Sequence, residues 1–397
     1  MTAPHSSSPL LDAFEHQDEV FAPAFSILQE AVSQRTFPAA SVAATHHSRL
    51  VALKALGHFT YESSSPTVTP ATLFDLASLT KVVATTTMAM LLYERGLLDL
   101  DAPVGAIVPE FTSAGKDPRR QEVTLRVLLA HSSGLPAYEK LFLKAHSRDE
   151  LLHQAFTTPL VAGPGIHTEY SDIGFIILAI AQERLADEPL DRFCQREIFA
   201  PLGMVSTTFN PPKEIRAQIP PTADEREGMC GADTSVREMP KASPPSGASQ
   251  PSTFRQRIIQ GEVQDENASV LGGVAAHAGL FSTAQDLAKF ANSMLNAGRP
   301  ILRPETVALF TRRESAPAGT SRALGWDTPS PHSQSGKYFG PASFGHLGYT
   351  GTSLWIDPGR QLSIVLLTNR TWPDCSNPAI KQLRPRFYDA VIEALSE

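Results

Sequence analysis

A mixed α/β fold follows from three features of the sequence. Strand-like runs lie toward both ends of the chain, helical spacing dominates between them, and 42% of residues are hydrophobic against 19% charged. Strands at both ends with helices between them imply one sheet built from N- and C-terminal segments, with a helical region inserted. The composition gives 397 residues enough apolar surface for a sizeable core and excludes global disorder. Thirty-two prolines predict many ordered connections rather than a helical bundle.

The elements follow in order. Phe21 to Ser33 has helical spacing, with Phe25, Leu28 and Val32 able to share one face. Two apolar runs after Pro38, Ala39 to Ala44 and Leu50 to Leu56, flank His46-His47-Ser48 and predict a hairpin. A strong helix is expected from Ser78 to about Leu98, closed by Gly96. Short helices and loops continue to about residue 215, including Val123 to Leu129 and Ile173 to Leu185. Glu225 to Phe254 is a Pro/Ser-rich insertion with no expected core contribution.

Order returns at Gly261. Ser282-Thr283-Ala284-Gln285 resembles a capping box opening a helix through Leu287, Phe290 and Met294. Strands are expected at Ser353 to Ile356 and Leu362 to Leu367, with Asp357-Pro358-Gly359 turning between them, then a helix from about Pro378 to Leu395. The expected organisation is an N-terminal tail over 1–20 and one domain over 21–397. Its sheet part covers about 21–77 and 283–397, its helical lobe about 78–220, and the insertion about 225–254.

The 34 basic and 41 acidic residues give a net charge of −7, which argues against nucleic acid or an anionic membrane as partner. Cys194, Cys230 and Cys375 are sparse, far apart and odd in number. They form neither a disulfide framework nor a zinc pattern, and they suit a reducing compartment. Met1 to Val20 lacks the features of a signal peptide, and the apolar stretch Val82 to Leu92 is too short to cross a bilayer. A soluble cytoplasmic protein is the expectation.

Three short segments can carry chemistry. In Ser78-Leu79-Thr80-Lys81, helical spacing lets the lysine amine approach the serine hydroxyl. A serine is a poor nucleophile until a base takes its proton. The alternative is a serine that caps a helix. Ser113 to Lys116 also matches S-x-x-K, but Gly115 and Pro118 place it in a loop. Tyr170-Ser171-Asp172 opens an apolar helix; a phenol beside a lysine ammonium can move protons. It can equally be a tyrosine packed at a helix start, with Asp172 serving the helix dipole. In His346 to Gly351 the glycines permit close backbone approach to a ligand, or a simple bulge and turn.

Taken in this order, the set resembles the serine β-lactamase-like family, the penicillin-recognising serine hydrolases, and within it the class C β-lactamase-like and esterase branch. The family order is S-x-x-K, then Y-x-N or a variant, then K-T-G or H-x-G. Phe74 to Ala77, Leu128 to Pro136, Pro201 to Met204, Gly272 to Thr283 and Gly351 to Pro358 fit as well, so the resemblance covers about 21–395. It implies an antiparallel sheet flanked by helices plus an all-helical lobe, with the site between them. It also implies Ser78 as acylated nucleophile, Lys81 as its proton-handling partner, Tyr170 as second base and acid, and His346 assisting the tyrosine. The N–H groups of Ser78 and Tyr349 would form the oxyanion hole, with Asp172 and Gly348 on the substrate side.

Two departures bear on substrate. Asp172 replaces the asparagine amide, and a carboxylate there can pair with Lys81 instead. Leu347 and His346 replace the hydroxyl and the fixed cation that meet a substrate carboxylate, which favours neutral esters or amides over penicillins. Elsewhere, His277, His131 and the pair Asp265-Glu266 are expected to be structural, with His277 the one that could border a pocket. His46-His47 lacks the geometry of a metal site. There is no G-x-S-x-G, H-E-x-x-H, P-loop or dinucleotide fingerprint, so no cofactor or metal is expected. The expected function is an acyl-enzyme serine hydrolase acting on a small-molecule ester or amide. A β-lactamase, a D,D-peptidase, a cytoplasmic muropeptide amidase and a catalytically silent binder are the alternatives.

Overall fold

In the computed structural model, which describes residues 10–113, 117–227 and 254–396, both ends of the chain meet in one sheet. The strands are β1 (Leu11–Asp12), β2 (Ala39–His46), β3 (Arg49–Gly57), β4 (Phe74–Asp75), β5 (Thr208–Phe209), β6 (Pro221–Asp224), β7 (Ile258–Gln260), β8 (Leu280–Ser282), β9 (Phe344–Leu347), β10 (Ser353–Asp357) and β11 (Leu362–Thr368). The large sheet runs β1-β3-β2-β11-β10-β9; β4-β8-β5 and β6-β7 form smaller ones. Antiparallel pairing of β2 with β11, with Val42 opposite Leu366, joins the N- and C-terminal segments.

Why β2 and β11 read as unbroken apolar runs is plain from their packing: both faces are covered. Val42, Ala44, Ile364 and Leu366 point to the side occupied by Phe25, Leu28, Phe387 and Tyr388 of the helices Ala22–Ser33 and Ile380–Ala394. Ala43, Val365 and Leu367 point to the opposite core, shared with Leu287 and Phe290 of the helix Ala284–Leu295. The two-residue alternation of a strand thus feeds two cores. The site lies at the end of the second, where β9, β4 and the buried helix following Ser78 converge.

Several expectations need correction. Residues 10–20 are not a loose tail: β1 pairs in parallel with β3, and Gln17–Val20 form a helical turn. Most of the Pro/Ser-rich insertion lies outside the described residues, yet its rim does reach the interior. There Glu225 and Arg255 form a buried ion pair at 2.6 Å, and Phe254 packs on Phe142 with ring centroids 5.1 Å apart. The segment after Ser78 is a π-helical stretch, Lys81–Thr86, before α-helix over Thr87–Glu94. The cap of the helix Ala284–Leu295 is Thr283, one residue later than expected, its hydroxyl accepting from the Asp286 N–H. Cys194 is free and buried, but Cys375 is disulfide-bonded. Cysteine usage therefore no longer favours a reducing compartment. Among the described residues no helix is long and apolar enough to cross a membrane.

Candidate active site

Ser78 stands half-buried just past β4, where the chain turns sharply. Ala77 adopts φ +47°, unusual for a residue with a Cβ. The Asp75 carboxyl holds this turn by accepting the N–H groups of Ala77 (2.8 Å) and Gln264 (2.7 Å). Burial pushes the Asp75 carboxyl up to about 6, and those two N–H groups oppose the shift.

One helical turn on, the fully buried Lys81 Nζ lies 3.0 Å from Ser78 Oγ, 3.1 Å from the His277 carbonyl oxygen and 2.6 Å from Asp172 Oδ1. Burial alone would disfavour its charge. The Asp172 carboxylate and Tyr170 more than offset that and hold Lys81 above its ordinary value, as an ammonium. The pairing of Asp172 with Lys81 is the arrangement the sequence offered as the alternative to a substrate-binding amide.

Tyr170 and Asp172 flank the helix cap of Asp172–Ala186. Ser171 accepts from the Gly174 N–H and donates to the Pro136 carbonyl, while its own N–H bonds to His131 Nδ1 at 3.0 Å. The structural role expected of His131 fits this bond and its stacking on Phe175. With Ser171 fixed, the residues on either side enter the site together. The Tyr170 hydroxyl hydrogen-bonds with Lys81 and Ser78, and Lys81 Nζ sits 4.8 Å from the ring centroid. Burial raises the phenol above its usual value, partly countered by Lys81, so Tyr170 is protonated at neutral pH.

His346, on β9, places its ring 5.8 Å from that of Tyr170. Burial and the nearby Lys81 and Arg322 cations drive its pKa well below 6.5, so it is neutral. After β9 the chain turns through Gly348 to Thr352 and is tied to the backbone before Ser78. Thr350 Oγ1 donates to the Asp75 carbonyl and Thr352 Oγ1 to the Leu76 carbonyl, both at 2.8 Å. Gly348 is required here, because a Cβ would lie 1.9 Å from Thr352 Oγ1 and 2.6 Å from the Leu76 carbonyl oxygen. The turn carrying Gly348 and Tyr349 is thereby locked beside the one carrying Ser78.

The structure thus assembles Ser78, Lys81, Tyr170, Asp172 and His346, with the Gly348–Tyr349 turn adjoining. Lys116 of the second S-x-x-K match lies outside the described residues. His277 is buried, bonds Asp265 through Nε2 at 2.9 Å and reaches Lys81 only by its carbonyl. Asp265 also caps the helix Glu266–Val270. Among the described residues no group of three His, Cys, Asp or Glu side chains could hold a metal ion.

Sequence reasoning missed Arg322, and it named Glu266 only as half of a structural carboxylate pair. Arg322 places its guanidinium carbon 5.4 Å from the Tyr170 ring centroid, with Asp327 3.7 Å away as its nearest carboxylate. No spacing rule links it to the other motifs. Glu266 is buried, within 3.4 Å of the Tyr138 hydroxyl, and burial together with Asp265 pushes its carboxyl up to about 8.

The family model for Beta-lactamase matches residues 24–383. A putative D-alanyl-D-alanine carboxypeptidase of Escherichia coli K12 is 32% identical over 345 residues, 81% of this chain and 74% of that protein. Its counterpart in Salmonella agona is 33% identical over 328 residues, 78% and 72% of the two chains. Among solved structures, EstCE1, a hydrolase with promiscuous acyltransferase activity, superposes with a TM-score of 0.72 at 22% identity, covering 95% of this chain and 100% of that one. The class C β-lactamase of Rhodobacter sphaeroides gives a TM-score of 0.65 at 21% identity, covering 95% and 99%. At these identities the structures speak to the fold alone. The chain belongs to the Beta-lactamase family, and it is a serine hydrolase of mixed α/β fold.

Proposed function

We propose that the protein hydrolyses ester bonds, and amide bonds next, through an acyl-enzyme on Ser78. One observation carries this reading: Lys81 Nζ bridges Ser78 Oγ at 3.0 Å and Asp172 Oδ1 at 2.6 Å, with Tyr170 bonded to both Ser78 and Lys81. In the resting site Lys81 and Tyr170 both hold their protons, and the Asp172 side chain is ion-paired with Lys81. As Ser78 Oγ attacks the substrate carbonyl, its proton passes to Lys81 while Lys81 gives one to Asp172. The Ser78 and Tyr349 N–H groups take the oxyanion, a contribution of about 10²–10³ in rate per donor in comparable sites. On collapse Tyr170 protonates the leaving oxygen or nitrogen and is reprotonated through Lys81 from Asp172. Water then repeats the sequence on the acyl-serine.

Neutral His346 and apolar Leu347 support a neutral substrate. The guanidinium of Arg322 above Tyr170 favours a second reading, in which the leaving group carries a carboxylate. The carboxypeptidase names of the relatives from Escherichia coli and Salmonella agree with it. Initial rates with short-chain p-nitrophenyl esters and nitrocefin, wild type beside Ser78→Ala, test the proposal. Ester turnover lost in the variant supports it, and undiminished turnover in Ser78→Ala rejects it. Efficient nitrocefin cleavage moves the assignment to the second reading.

A further inference from the structure

We infer that Arg384 and Arg370 are positioning residues: Arg384 grips the Gly348–Tyr349 peptide by its carbonyl, Arg370 grips the carbonyl of the next peptide, and together they set the Tyr349 N–H toward the reacting carbonyl. The inference rests on the reading that the Tyr349 N–H is an oxyanion donor. Arg384 lies on the last helix, Ile380–Ala394, and Arg370 just past β11, so neither is near the motifs in sequence. Arg384 Nη2 donates to the Gly348 carbonyl at 3.0 Å and the Thr352 carbonyl at 2.8 Å, and Nη1 to Gln334 Oε1 at 3.0 Å. Arg370 Nε donates to the Tyr349 carbonyl at 2.8 Å and Nη1 to the Cys375 carbonyl at 3.2 Å, with its guanidinium 4.7 Å from the Tyr349 ring centroid. Both carbonyls flanking Tyr349 are therefore held by cations.

Two features set this apart from ordinary packing. Arg384 is 4% exposed and Arg370 9%, yet among the described residues neither pairs with a carboxylate. Uncompensated buried charge is a poor way to stabilise a fold. Second, the Gly348 carbonyl and the Tyr349 N–H are the two ends of one planar amide. A guanidinium on the oxygen fixes the plane against rotation. It also draws electron density toward the oxygen, which makes the N–H a stronger donor. Such a donor is worth most when charge develops on the substrate oxygen. The effect belongs to the transition state, not to ground-state binding.

The test uses the full chain with Arg384→Lys, Arg384→Met and Arg370→Lys. Three quantities are read: kcat and KM for p-nitrophenyl butyrate, and the inhibition constant of phenylboronic acid, whose tetrahedral adduct on Ser78 places an oxygen in the oxyanion position. We expect kcat to fall about 10- to 100-fold in Arg384→Met with KM within about threefold. Boronate affinity should weaken in step with kcat/KM, and Arg384→Lys should fall between, since an ammonium can stand in for Nη2 at the two carbonyls but has no second arm to be held by Gln334. If Arg384→Met does not fold, the two lysine variants carry the test, with thermal unfolding confirming the native state. Folded variants that keep both kcat and boronate affinity within about twofold of wild type overturn the inference. So does a loss of kcat with boronate affinity unchanged. Failure of the underlying reading is recognised separately, by turnover that survives Ser78→Ala.

Discussion

Asp172 Oδ1 and Lys81 Nζ are 2.6 Å apart at the foot of Ser78, and this pairing keeps the buried lysine charged. Burial by itself would push the lysine toward the neutral amine. With the carboxylate beside it, Lys81 stays charged. Asp172→Asn removes the main opposing influence, so the lysine value falls and the group titrates at lower pH. The variant also lacks the acceptor for the lysine proton. Its kcat/KM at pH 7 should drop by about 10- to 100-fold and climb with pH as Lys81 deprotonates, where the wild type is level through neutrality. Overlaid pH profiles check this; parallel profiles of the two proteins contradict it.

Glu266 supplies a test of stability against pH. Its carboxyl is held up to about 8 in the fold, above the unfolded value of about 4.3. A raised carboxyl binds its proton more tightly when folded. The fold is therefore favoured below the unfolded value and loses stability as pH rises toward 8. Glu266→Gln mimics the protonated acid and should raise the melting temperature at pH 8, by the equivalent of about 1–3 kcal/mol, with little change at pH 4. Calorimetry at the two pH values measures it, and an equal shift at both would point to packing instead.

Gly348→Ala should be severe. The added Cβ would lie 1.9 Å from Thr352 Oγ1 and 2.6 Å from the backbone oxygen of Leu76, and the latter cannot swing away. A stability loss of about 3 kcal/mol or more is expected, with activity lost even at low temperature. Denaturant unfolding and ester turnover report the two effects; a soluble, active alanine variant would show that the two turns are not locked together.

Arg322→Ala should change selectivity. For a matched pair of esters, one with a carboxylate on its leaving group and one with that group as a methyl ester, the ratio of kcat/KM values should fall about tenfold. An unaltered ratio leaves the neutral-substrate reading standing alone.

Much of the architecture is visible in the sequence because single elements carry clear signals. His46-His47-Ser48 between two apolar runs gives the β2–β3 hairpin, and Asp357-Pro358-Gly359 the turn from β10 to β11. Ser78, Lys81 and Tyr170 are visible as ordered motifs. What is hidden depends on contacts between distant segments. The π-helical stretch Lys81–Thr86 reads as ordinary helix; the bond of Thr85 Oγ1 to the Ala276 carbonyl is tertiary and leaves no local pattern. β1 is two residues long, too short for alternation to register. Arg322 has no spacing to betray it. Arg384 did leave a trace, for it shares the stripe of Ile380, Phe387, Tyr388 and Val391, where a charged residue has no solvent to face.

The measurement that bears most directly on the account is intact-mass and peptide analysis of the protein after reaction with a fluorophosphonate. The account predicts one adduct per chain, on the peptide containing Ser78, formed quickly in wild type and absent from Ser78→Ala. An adduct on another residue, or labelling that persists in the variant, would contradict it.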